Sequence, residues 1–290
     1  MLNTPGSFSK GRLTPVEVAG YLQTIPSAPG TLNGLEEIFY EGPSSLNEVT
    51  RLVRYEPGLA AQILRTRQAC PKVFTPSFAI EDAINDLGFS YVQDIALDAT
   101  RSQLINQPLD VYNLSMDEFW RRSVSTAIAA ELIAEETGED TGISFTVGLL
   151  HNIGMLAIDA WARQESPELV FAHRSWPREF SMAESSLLGF TNAEVGAALL
   201  ASWDLPARLS EVVRLQYVPL RFGPHARSSS LLLAAKWLSA AVCLENGTPK
   251  MPESAYLDVL RIPSFELAEM VVEVRVRLGG VRNALHLTAA

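Results

Sequence analysis

A chain of 290 residues with 47% hydrophobic residues has material for one large core or two small ones, and it is too apolar to remain disordered. Its 33 acidic residues outnumber 23 basic ones, giving a formal net charge of −10. That balance counts against a general nucleic-acid binder, because phosphate tracking draws its affinity from clustered Lys and Arg.

Residues 1–12 (MLNTPGSFSKGR) lack the apolar run of a secretory signal and read as a flexible tail, which points to a cytoplasmic chain. Helix-start signals then recur. Thr14/Glu17, Ser45/Glu48, Ser115/Glu118, Ser181/Glu184 and Thr191/Glu194 each have the spacing of a capping box, in which both side chains bond backbone N–H groups at the helix start. Pro15 suits a first helical position. Gly42, Gly88, Gly138 and Gly189 lie where helices would end in a left-handed residue. Trp120, Val124, Ala127, Ile128 and Leu132 share one helical face. Breaks are expected near 106–114, 218–229 and 246–253. Cys70 and Cys243 form neither a disulfide framework nor a C-x-x-C pair and are expected as small buried apolar residues.

Two clusters of charge read as solvated surface. One is acidic (Glu135, Glu136, Glu139, Asp140) and one is basic (Arg54, Arg65, Arg67, Lys72). The apolar stretch from Leu231 to Leu244, interrupted by Lys236, is too short for a membrane span and reads as a core helix. Near the C-terminus, Leu267, Met270, Val271, Val274, Leu278, Val281 and Leu285 form an apolar stripe. It predicts a helix over 264–285 packed on the domain or on another subunit. The whole predicts an all-α protein of roughly ten to fourteen helices of ordinary length.

The segment Val147 to Ile158 (VGLLHNIGMLAI) is apolar on every side except at His151 and Asn152. It predicts one buried central helix whose two polar residues need partners, since an unpaired buried polar group costs about 1–3 kcal/mol. These residues resemble the GLLHDIG motif of HD-type metal phosphohydrolases and of the HDOD domain. Five further segments resemble HDOD motifs in the right order: IPSAPGTLNGLEEIF from Ile25, VTRLVRYEPGLAAQIL from Val49, IEDAINDLGFSYVQDIAL from Ile80, FWRRS from Phe119 and NAEVGAALLASWDLP from Asn192.

The resemblance implies a multi-helix HDOD/HD-like bundle over 13–220, in an N-terminal part (13–112) and an HD-like part (113–220), with C-terminal helices over 221–290 completing it. It also implies where a metal site would lie. At those positions Arg122 replaces the first His, His151 is kept, Asn152 replaces the defining Asp, and Asn192 replaces the next His. Gln216 and Tyr217 replace a His pair, and Lys236 replaces the last Asp. One ligand remains, and two positions carry positive charge where a cation should bind. The family's Asn-Ser pair is also absent, with Gln68 and Ala69 in its place.

The resemblance therefore implies no metal, no cofactor and no catalysis. It implies a regulatory module that binds a protein partner in a bacterial signalling pathway, with a homo-oligomer possible and neither nucleic acid nor membrane as partner. A sensor holding a small anionic ligand, such as a nucleotide, in the former metal pocket is the alternative. A surviving phosphohydrolase is the second.

Overall fold

The structure is a computed structural model, and it describes residues 13–22, 25, 46–70, 77–101, 107–171, 178–244 and 249–284. Fourteen α-helices lie among them, with no strand beyond a single bridge between Leu109 and Leu114. The chain is all-α, as its periodicity predicts. The tail at 1–12 and the Ser45 cap lie outside the described residues, as do Gly42, Lys72 and most of the segment from Ile25.

Helix α1 (Pro15–Ala19) opens on a complete capping box of Thr14 and Glu17. A first layer follows: α2 (Leu46–Arg54), α3 (Pro57–Ala69), α4 (Ile80–Leu87) and α5 (Phe89–Arg101), which pack on one another. Glu56 caps α3 by accepting from the Gly58 N–H at 3.1 Å. Arg67, predicted as part of a solvated basic face, is instead buried. It reaches Asp86 at 2.5 Å and donates to the Ser77 carbonyl at 2.9 Å. A buried guanidinium needs these acceptors, because a desolvated charge is costly unless it is paired and bonded.

The second layer begins with α6 (Met116–Thr137), capped by the Ser115/Glu118 box and ended by left-handed Gly138. Asp140 caps α7 (Thr141–Leu150), which is followed by α8 (Ile153–Glu165). Next come α9 (Arg178–Leu188), α10 (Asn192–Ser202) with its Thr191/Glu194 box, and α11 (Ala207–Arg214). The last three are α12 (Ala226–Cys243), α13 (Ser254–Leu260) and α14 (Ser264–Ala284). Helix α12 lies against α6 and α7, and α14 lies across α6 and α12.

Two glycines set the closest approaches. A Cβ on Gly148 would stand 2.8 Å from backbone atoms of Ala127 and Thr126, which brings α7 onto α6. A Cβ on Gly154 would stand 1.9 Å from the Asn192 carbonyl oxygen and 2.6 Å from the Gly196 nitrogen, which brings α8 onto α10.

Three sequence expectations are corrected. Val147 to Ile158 is not one helix: the helical bonding breaks at His151 and Asn152, between α7 and α8. Ser181 is not a cap but sits inside α9, and Glu184 turns inward and is fully buried. The cysteines are half-buried, and Cys243 Sγ lies 3.4 Å from Ser125 Oγ.

The acidic cluster does more than meet solvent. Glu139 pairs with Arg227, which also donates to the Val259 carbonyl, and Glu135 lies 3.6 Å from Arg277. These contacts tie the end of α6 to the C-terminal helices. The predicted C-terminal helix is present and packed, with Leu267, Val274, Leu278 and Val281 buried.

Candidate functional site

The break between α7 and α8 builds the polar centre. His151, fully buried, lies at the end of α7, and its Nδ1 donates to the Gly148 carbonyl at 2.7 Å. That bond places the ring proton on Nδ1. The backbone carbonyl of His151 accepts from Gln216 Nε2 at 2.8 Å. Gln216, on the turn after α11, passes the contact on, because its Oε1 accepts from Lys236 Nζ at 2.5 Å. Lys236 comes from the middle of α12 and is fully buried. Its amine lies 3.8 Å from the centre of the Tyr217 ring.

A second branch meets the same tyrosine. Asn192 Nδ2 donates to the Tyr217 hydroxyl at 2.8 Å and to Glu184 at 2.9 Å, while the Asn192 backbone N–H donates to Glu184 at 2.8 Å. Tyr112 closes the branch by donating its hydroxyl to Glu184 at 2.7 Å. Gly154 against the Asn192 carbonyl holds this helix start in place.

Of the seven residues the sequence singled out, five therefore gather in one polar cluster: His151, Gln216 and Lys236 in one hydrogen-bonded branch and Asn192 and Tyr217 in another, joined where the Lys236 amine lies over the Tyr217 ring. Asn152 is buried at the helix junction, and neither atom of its amide has a hydrogen-bond partner among the described residues. Arg122 lies on α6, where its backbone carbonyl accepts from Thr126 and Ser239, and burial lowers its guanidinium against the opposing pull of Glu118. Glu184 and Tyr112 are members that sequence reasoning missed. Glu184 was read as the third residue of a capping box, and its role depends on α9 facing inward, which the Ser-x-x-Glu spacing does not reveal.

The electrostatics follow from burial. The Lys236 amine is pushed well below its ordinary range by desolvation, against the opposing pull of Glu184. The His151 ring is also pushed well below its usual value, first by burial and then by the charge of Lys236. Burial raises the Glu184 carboxyl, and its hydrogen bonds to Asn192 and Tyr112 oppose the rise.

This donor set does not fit a metal. Divalent ions need several anionic or imidazole donors converging on one point. Among the described residues no three His, Cys, Asp or Glu side chains do so. Only His151 is an imidazole, Asn152 and Asn192 bring neutral amides, and Lys236 brings an amine. A cavity of about 280 Å³ does adjoin the network, bordered on its inner side by Gln216, Tyr217 and Lys236.

A helical bundle with this order of motifs defines an HD-like protein. The HDOD domain family matches residues 25–219, and the chain belongs to that family.

The crystal structure of the MmoQ response regulator from Methylococcus capsulatus str. Bath has the same fold. Its TM-score is 0.70 at 19% identity, covering 87% of this chain and 99% of that one. A virulence factor from Campylobacter jejuni subsp. jejuni gives a TM-score of 0.67 at 16% identity, covering 91% and 96%. An uncharacterized protein of Treponema pallidum (strain Nichols) is 22% identical over 209 residues. The match takes in 69% of this chain and 39% of that protein, well under half of its length.

Proposed function

We propose that this protein is a non-catalytic regulatory module that acts in the cytoplasm through a protein partner in a signalling pathway. The observation that carries the reading is the Lys236 amine at the polar centre, bonded to Gln216 and stacked over Tyr217. An amine of the protein's own takes a place that the resemblance assigns to a ligand of the HD metal site. HD chemistry needs a metal to acidify a bound water, and this centre supplies an amine and one imidazole instead. Membership of the HDOD family and a fold shared with a response regulator support a signalling role. Apolar side chains left in solvent, such as Phe222, Val272 and Val276, suit a protein that meets another.

The reading is tested in two arms. Purified protein is incubated with Mn²⁺ or Mg²⁺ and a panel of nucleotides and phosphodiesters, beside His151→Ala. The expected result is no turnover above the variant. Immobilised protein is then used to capture partners from cells of the source organism, and a captured protein is purified and titrated. Saturable binding by a purified partner supports the reading, and metal-dependent hydrolysis lost in His151→Ala overturns it.

A further inference from the structure

The cavity beside the network has a chemistry of its own. Its lining is largely apolar, with a few polar side chains. Tyr217 and Tyr256 contribute rings, and Pro249 and Pro252 contribute ring edges. The Trp237 indole N–H is already committed to the Pro249 carbonyl at 3.1 Å, so that side chain offers its carbon face. At the inner end stands Lys236, fully buried, and at the outer end Lys250, exposed. The one carboxylate of the lining, Glu253, has Arg221 4.0 Å away to answer its charge. The lining thus brings aromatic and proline side chains together beside a buried amine.

Size decides among ligands. About 280 Å³ lies at the low end for small-molecule sites, which run from roughly 300 to 1,000 Å³. A volume of that size holds a ligand of one or two fused rings. Apolar faces of this kind favour a planar ring, and a desolvated amine favours an anionic group that restores its charge.

We propose that this cavity binds a small planar aromatic acid, its ring held between the Tyr217, Trp237 and Tyr256 side chains and its carboxylate on Lys236 Nζ. The inference stands apart from the identity of any protein partner. It gives the module an input. An ammonium has three N–H donors, so a carboxylate at Lys236 shares the amine with Gln216 Oε1, the residue that also holds the His151 carbonyl at the α7–α8 junction. The ligand would thus sit one side chain away from the helix break at the centre of the fold. Because burial disfavours the charged amine, an incoming anion draws a proton onto it.

Calorimetric titration tests this with benzoate and indole-3-carboxylate as probes, and with neutral indole and with acetate as controls. The acids are expected to bind at least about tenfold more tightly than either control. Titration near pH 8 in buffers of different ionisation enthalpy should show net proton uptake with the acids and none with indole. Lys236→Met should weaken acid binding at least about tenfold and leave indole unchanged. Tyr256→Ala, a half-buried side chain of the rim, should weaken both classes and keeps the test available where Lys236→Met does not fold. Acid binding absent below about 10 mM overturns the proposal. So does indole binding as tightly as its carboxylate, or acid affinity that survives in either variant.

Discussion

His151 is the one residue that the resemblance matches to an HD ligand, and its bonds give it structural work. The Nδ1–H bond to Gly148 closes the end of α7, and the carbonyl bond to Gln216 ties that end to the turn after α11. His151→Ala is expected to lose about 1–3 kcal/mol of stability, from the lost hydrogen bond and the small cavity it leaves, read by urea unfolding. A variant as stable as the parent would show that the ring contributes nothing to the fold.

Lys236 gives a pH signature. Its folded pKa is depressed, so below its ordinary value near 10.5 the unfolded chain binds more protons than the folded one. Stability from this residue therefore rises as pH increases from 7 towards 9. Lys236→Met should flatten that rise. Measurement stops short of pH 10, because buried Tyr112 and Tyr217 have raised values and act in the opposite sense above it. An unchanged slope in the variant would place the titrating group elsewhere. His151 adds a smaller effect on the acid side: its contribution is complete above about pH 6.5 and fades below, as the unfolded ring takes up a proton.

At the level of helices, the glycine contact between α8 and α10 is the least forgiving feature. The atoms a Cβ on Gly154 would meet are backbone, so no side chain can swing aside. Gly154→Ala is expected to cost about 3 kcal/mol or more, with Asn192 displaced from Glu184, and thermal unfolding would register it. The C-terminal helix α14 supports α6 and α12 through its buried stripe and the Arg277–Glu135 contact. A chain ended at residue 262 should lose solubility and unfold at a lower temperature; equal behaviour in gel filtration and thermal melts would show the helix to be dispensable.

Much of this level was legible in the sequence. Capping boxes at Thr14, Ser115 and Thr191 appear as predicted because their signal is local: a side chain bonding a backbone group three residues away. Ser181/Glu184 has the same spacing and fails, because tertiary burial recruits Glu184 for Asn192 and Tyr112. The helix break at His151 was hidden for a related reason. Its carbonyl is satisfied by Gln216 from 65 residues away, a partner that periodicity cannot locate. Five of the seven candidate residues converge, although four of those five come from other helices than His151. Order along the chain found them, and the structure then added Glu184 and Tyr112 to the set.

For the whole molecule, the chemistry of the centre predicts metal content. Elemental analysis of the purified chain should find no stoichiometric transition ion. One ion per chain, lost on His151→Ala, would reverse the reading of the centre. The fold itself carries a further cost, visible in Thr141–Glu165. By length and composition this stretch is apolar enough to cross a bilayer, yet 78% of its most apolar window is buried within the protein. Part of its cover, α12, begins only at Ala226. At about 5–20 residues per second, a ribosome that has just made Glu165 needs roughly 3–12 s to reach that helix. Throughout that interval the nascent chain presents a partly covered greasy segment, the kind of surface that membrane-insertion machinery and chaperones compete to hold.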